Sequence, residues 1–135
     1  MLDSSAALAW LLPGEANPST EALLTAVGDL GAVAPELWLL ETANVLLLAE
    51  RRGRITLAEQ TQGLAILAEL PIRIDNRTSA LAYGATSALA AASDLTVYDA
   101  CYLELALRLG LPLASLDQRL CQAASAVGVP LIVTS

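Results

Sequence analysis

This chain has no histidine and no lysine, only two cysteines, and charge on just 16% of its 135 residues. Each shortage excludes something. Without histidine or a paired cysteine spacing the usual zinc-site patterns are missing, and Cys101 and Cys121, both inside helical patterns, read as free thiols of a cytoplasmic protein. Because lysine is missing, all seven basic residues are arginines, and they face fourteen acids for a net charge of -7. A protein that grips nucleic acid by neutralising phosphates is basic, so this balance counts against ordinary groove binding. It leaves open a site where metal ions carry the positive charge. Long apolar runs are absent as well. Glu41, Asn44 and Glu50 interrupt them before the ~18 residues a membrane span requires. The start, Met1-Leu2-Asp3, has neither a basic leader nor a cleavable apolar segment, so nothing marks the chain for export or for a membrane.

What is abundant is apolar side chain, at 56% of residues, with a mean hydropathy of +0.58. Residues 1–135 are one domain's worth of chain, able to bury a core without disulfides or metal staples. The apolar excess therefore implies surface covered by partners, a homodimer among them.

Short strands without polar alternation are separated by helical patterns. Asp3-Ser4 opens a helix through Leu12, closed by Pro13-Gly14, and a second runs from Thr20 to Leu30. Gly31 to Pro35 reads as a strand, with Pro35 suited to the first turn of the next helix, Glu36 to Arg52, stopped by Gly53. Thr56-x-x-Glu59 forms a capping box for a helix to Leu70. Pro71 to Asp75 is a strand, Thr78 to Ala92 an alanine-rich helix, and Tyr98 to Arg108 a helix capped by Gly110. Leu113 to Leu116, a helix from Asp117 to Val127, and Leu131-Ile132-Val133 complete the order. This pattern predicts an α/β fold, a short parallel sheet covered by helices on both faces, with its crevice beyond the carboxyl ends of the strands.

Four acids acquire a reason to meet there. Asp3 and Asp117 stand just past strand ends, although an isolated Asp3 is most simply a helix N-cap. Asp99 shares a helix side with Leu103 and Ala106, while Glu104 and Arg108 occupy the opposite, water-facing side as an i,i+4 pair, so Asp99 points inward. Glu41 lies on a helix that is apolar nearly all round; its plainest role is a solvated position on a narrow polar stripe with Asn44. Clustered carboxylates repel, so they either take up protons or share a divalent cation, and oxygen-only ligation favours Mg²⁺ or Mn²⁺. The Arg51-Arg52-Gly53-Arg54 turn is the one positive patch, ordinarily a solvated helix end.

Five blocks carry a family resemblance: Asp3-Ser4-Ser5-Ala6; Pro35-x-x-Trp38-x-x-Glu41-x-x-Asn44-Val45-Leu46; Arg51-x-Gly53-Arg54-Ile55-Thr56; Tyr98-Asp99-Ala100-x-Tyr102-Leu103-x-Leu105-Ala106; and Leu113-Ala114-Ser115-Leu116-Asp117-x-x-Leu120. Together they resemble PIN domains, most closely the VapC-type toxin branch. The resemblance implies a three-layer α/β/α fold and an endoribonuclease whose four acids bind Mg²⁺ or Mn²⁺. Asp3 and Asp99 would be the main ligands, with Glu41 and Asp117 completing the site. Asn44 and Ser115 would hydrogen-bond the ligands from behind, and Arg51, Arg52 and Arg54 would meet RNA. It also implies a cognate VapB-like antitoxin and a dimer. Two readings stay beside it: a PIN-fold RNA-processing nuclease without antitoxin, and a catalytically inactive binding module. A phosphoaspartate receiver or phosphatase lacks its lysine and its D-x-D motif here. Against the family pattern, only two residues precede Asp3, and the chain is acidic.

Overall fold

The computed structural model describes residues 1–132. Its parallel sheet is assembled from two pairs of short strands. Ala32–Pro35 (β1) pairs with Ile72–Asp75 (β2), and Leu113–Ala114 (β3) with Leu131–Ile132 (β4). Between the pairs lies the start of the chain. Leu2 donates its N–H to Val33 O at 3.0 Å, Ala114 donates to Met1 O at 2.9 Å, and Asp3 donates to Ala114 O at 3.0 Å. Leu2 is 1% exposed, so its backbone groups must find protein partners, and the flanking strands are the ones in reach. Two residues that hardly read as a strand thus join both pairs, in the order β2, β1, Met1 to Asp3, β3, β4.

Helices cover this layer in an α/β/α arrangement. Ser4–Leu8 (α1), Pro18–Leu30 (α2), Leu37–Arg51 (α3) and Leu57–Glu69 (α4) alternate with the first strands, and α3 packs on α1, α4 and β1. Ser87–Ser93 (α5), Val97–Leu109 (α6) and Gln118–Ala126 (α7) follow β2, with α6 packed on β1, β3, α5 and α7. Local chemistry sets the ends. Asn17 with Thr20, and Thr56 with Glu59, form reciprocal capping boxes. Arg51 is followed at Gly53 by φ +72, and α6 is followed at Gly110 by φ +65, left-handed values that favour glycine. No helix among the described residues is long and apolar enough to cross a membrane.

The structure corrects several expectations. α1 ends at Leu8, not Leu12: Trp10 and Leu11 turn to the carbonyls three residues back, and the Trp10 indole donates to Thr20 O at 2.7 Å. Pro35 closes β1 opposite Asp75 instead of opening α3. The alanine-rich stretch is not one helix. A 3₁₀ turn at Ser79–Leu81 and a wide turn at Ala82–Thr86 precede α5, with the backbone leaving helical angles at Gly84 (φ -108, ψ -106), where no Cβ opposes the break. β3 stops at Ala114, because Ser115 and Leu116 turn toward α1. Glu104 does not face water: it is buried, since Arg108 turns from it to Asp75 at the end of β2. Val133, expected in the last strand, lies outside the described residues.

Candidate active site

The strand ends point at one place. Asp3 follows Leu2 directly out of the sheet and is 4% exposed. Its side chain caps nothing in α1. Instead, Oδ2 accepts two hydroxyls, Ser5 Oγ at 2.5 Å and Ser115 Oγ at 2.7 Å. Those serines are fixed in turn, for Ser5 accepts the Leu116 N–H at 2.9 Å and Ser115 accepts the Asp117 N–H at 3.0 Å. The turn after β3 is therefore sewn to the first turn of α1, which brings Asp117 beside Asp3. Asp117 also caps α7, accepting the Leu120 N–H at 3.1 Å.

Glu41 arrives from α3 and Asp99 from α6. The Tyr102 hydroxyl, one turn beyond Asp99 on the same helix side, donates a hydrogen bond to Glu41 Oε1. Tyr102 is almost wholly buried, so this bond locks α3 to α6 across the site. Thr96 caps α6 by accepting the Asp99 N–H at 3.1 Å, which places the half-buried Asp99 carboxyl in the helix's first turn.

The four carboxyls feel one another. Burial pushes Asp3 above the usual carboxylate range against the pull of the two serine hydroxyls, and the Asp117 charge pushes the same way. Glu41 is raised by burial, opposed by Tyr102, and raised further by Asp3 and Asp99. Asp99 is raised by burial, then by Asp117 and Asp3, against downward pulls from the Thr96 hydroxyl and, smaller, from Arg119. Tyr102 is pushed far above a free phenol, by burial first and by Glu41 second, so its proton stays on to donate. Arg119 is exposed and turned to Asp94, whose backbone O it meets at 2.8 Å.

Other candidates stand elsewhere. Asn44 is exposed, three residues on from Glu41. Arg51, the last residue of α3, and Arg52 and Arg54 just beyond it are exposed, roughly 15 Å along the helix axis from Glu41 at 1.5 Å per residue. Arg54 is paired there with Glu15 at 3.6 Å. Ser5 and Tyr102 stand in the motif blocks with no role assigned to them there, and Arg119 stands in none of the blocks. Tyr102 carried a legible signal, its three-residue spacing from Asp99, whereas the long-range pairing of Ser5 with Asp3 and Leu116 carried none.

A model of the PIN domain matches residues 1–126. The chain belongs to the PIN domain family. PIN domains are generally nucleases, they act on RNA, and they typically use divalent metal ions. Among solved structures, this PIN domain is similar to the crystal structure of PAE2754 from Pyrobaculum aerophilum, with a TM-score of 0.67 and 22% identity over 90% of this chain and 82% of that one. At that identity the likeness speaks for the fold. No curated protein matches the chain closely enough to count.

By chemistry the donor set of this PIN domain is one a hard dication would take: carboxyl oxygens from four elements, mutual repulsion, and no buried cation among the described residues to relieve it. Among the described residues no three acidic, histidine or cysteine side chains close on one point tightly enough to grip an ion alone. The carboxyls of Asp3, Glu41 and Asp117 each accept from a protein donor of their own.

Proposed function

We propose that this protein is a metal-dependent endoribonuclease, the toxin of a VapBC-type pair, with Asp3, Glu41, Asp99 and Asp117 as its metal-binding and catalytic acids. The observation that supports it is the convergence of four carboxyls with no arginine between them, three held above their ordinary pKa by burial and by each other. A bound Mg²⁺ or Mn²⁺ supplies an acidified water and a counter-charge for the phosphorane-like transition state. Asp3 and Asp99 would hold the ion, the first anchored by two serines and the second by its place in the first turn of α6. Glu41 and Asp117 orient water around it. Ser115 fixes Asp3, and Arg119 lies at the rim, where an exposed guanidinium can meet a phosphate. No covalent protein intermediate is needed.

The partner side of the proposal rests on apolar surface. Leu39 and Leu40 on α3, Leu57 on α4 and Leu30 at the end of α2 are exposed, apolar surface of the kind an amphipathic antitoxin segment or a second copy of the chain would cover. The free cysteines fit a reducing cytoplasm. Single-stranded RNA incubated with Mg²⁺ or Mn²⁺ should be cut internally. Full activity in excess EDTA, or in Asp99→Asn, ends the nuclease proposal. A sized, monodisperse monomer that binds no hydrophobic dye ends the partner half.

A further inference from the structure

An acidic pocket in an acidic chain repels the phosphates of the strand it would cut. Seven arginines stand against fourteen acids. Arg108 is committed to Asp75 and Glu104, and Arg51, Arg52 and Arg54 stand at the far end of α3. Arg119 is the arginine whose charge Asp99 feels. One guanidinium is little neutralisation for a bound strand, so a contact that does not depend on charge has room to matter.

The aromatic side chains supply one. The chain has two tryptophans, three tyrosines and no phenylalanine. Trp38 and Tyr102 are buried, and Trp10 packs against the core with its indole on Thr20 O. Tyr83 and Tyr98 are left in water. Tyr98 is 64% exposed and directly precedes Asp99 in the first turn of α6. It lies four residues before Tyr102, hence on the same side of α6 and one turn nearer the open end of the helix. Tyr102 reaches Glu41, and Tyr98 extends that row toward solvent, because helical side chains lean back toward the N-terminus. Arg119 is drawn to the same end of α6: Asp94, whose backbone O it meets at 2.8 Å, stands two residues before the Thr96 cap. Tyr83 belongs to a different region, for Ala85 of its turn lies beside Glu104 and Arg108 on the other side of α6.

We propose that Tyr98 is a stacking platform for one unpaired base of the RNA at the mouth of the acidic pocket, with Arg119 meeting a neighbouring phosphate. The inference rests on the nuclease reading above and deepens it. Single-stranded bases stack on aromatic faces whatever their identity, whereas bases inside a duplex are already stacked on each other and do not present a face. The ring therefore favours a single strand, and its contribution is insensitive to salt. The Arg119 contribution is a charge effect and is screened.

The test is the dependence of rate on RNA concentration with Mn²⁺, for wild type, Tyr98→Ala, Tyr98→Phe and Tyr83→Ala, beside anisotropy of a labelled single-stranded RNA in EDTA. Tyr98→Ala should raise KM and weaken binding roughly tenfold, the size of losing one base–aromatic stack, with its urea midpoint unchanged. Tyr98→Phe, which keeps the ring, should stay near wild type, as should Tyr83→Ala. The Tyr98→Ala loss should persist at raised salt. Unaltered KM and binding in Tyr98→Ala, an equal loss in Tyr98→Phe, or an equal loss in Tyr83→Ala overturns the platform while leaving the nuclease standing. Intact RNA binding with an altered mass by light scattering assigns Tyr98 to a protein contact instead and also overturns it. Wild type that binds RNA through Tyr98 but cuts none upholds the platform and sinks the nuclease; wild type that does neither sinks both.

Discussion

Two groups of acids lie on opposite sides of α6. On one side Asp75 and Glu104 share Arg108, whose guanidinium meets Asp75 at 2.8 Å and Glu104 at 2.7 Å. On the other, Asp99 gathers with Asp3, Glu41 and Asp117 and has only the fringe of the exposed Arg119. The chemistry of the side chains is the same in both, but the outcomes are opposite. Arg108 holds Asp75 below the usual carboxylate range, and is itself raised by Asp75 and Glu104. Burial and like charge hold Asp3, Glu41 and Asp99 above it. Two acids bridged by one guanidinium are a structural joint between β2 and α6, whereas acids clustered without a cation among them are destabilising on their own.

The sharpest break in the comparison comes from neutralising one member of each group. Asp3→Asn should lower RNA cleavage by roughly two to three orders of magnitude, the size of removing a group that acts on transition-state charge. The same change should leave metal-free stability unaltered or raised, because it removes a repelling charge while its amide oxygen still accepts the serine hydroxyls. Cleavage rates and urea midpoints in EDTA measure the two effects; a large loss of stability would mean that the Asp3 charge is structural. Arg108→Met should do the reverse. It leaves Asp75 and Glu104 facing each other without a cation, and should cost about 3 kcal/mol, the low end for a broken buried pair because Arg108 keeps some exposure. Cleavage per folded molecule should be retained.

The pH dependence of stability separates the groups by sign. Asp3, Glu41 and Asp99 have raised pKa values in the folded state, so their contribution is full below the ordinary carboxylate range and is lost as pH rises through the raised values. Asp75 is lowered, so its contribution is present above the ordinary range and is lost as pH falls through the lowered value. Without metal, urea midpoints should therefore peak in mild acid and decline on both sides. Asp3→Asn should flatten the alkaline limb and Arg108→Met the acid limb. Mn²⁺ should restore stability on the alkaline limb, where the carboxyls are ionised.

How far the sequence carried this picture follows from the range of each interaction. Helix ends were legible because their signals are local: Thr56 with Glu59, Gly53 and Gly110 sit within one turn of what they control. The alignment of Asp3, Glu41, Asp99 and Asp117 was legible through strand-end position and helical phase together with the five motif blocks. Helical phase also misled. It set Glu104 toward water because Arg108 satisfied it locally, and nothing near them in sequence announced Asp75. Ser5, over a hundred positions from the Leu116 N–H it accepts, had no local signal either. Asn44 shares the phase of Glu41 but stands exposed. The Arg51 to Arg54 turn looked notable only because positive charge is scarce, and the structure sets it at the far end of α3.

The smallest expected effect tests whether an arginine matters by identity or by setting. Arg119 bonds Asp94 through the backbone O at 2.8 Å and the carboxylate at 3.3 Å, a pair that counts on paper as much as one arm of the Arg108 triad. Its side chain is 70% exposed where that of Arg108 is 21%, and its partner carboxylate is fully open to water. Solvent screens such a pair and ordering two long side chains offsets what attraction remains. Arg119→Ala should therefore leave the urea midpoint unchanged at ordinary salt, in contrast to Arg108→Met. Its effect should appear in RNA binding, as a loss that shrinks when salt is raised. A clear drop in stability would show that Arg119 supports the acidic pocket from its rim, and the division between a neutralised and an unneutralised group of acids would no longer hold.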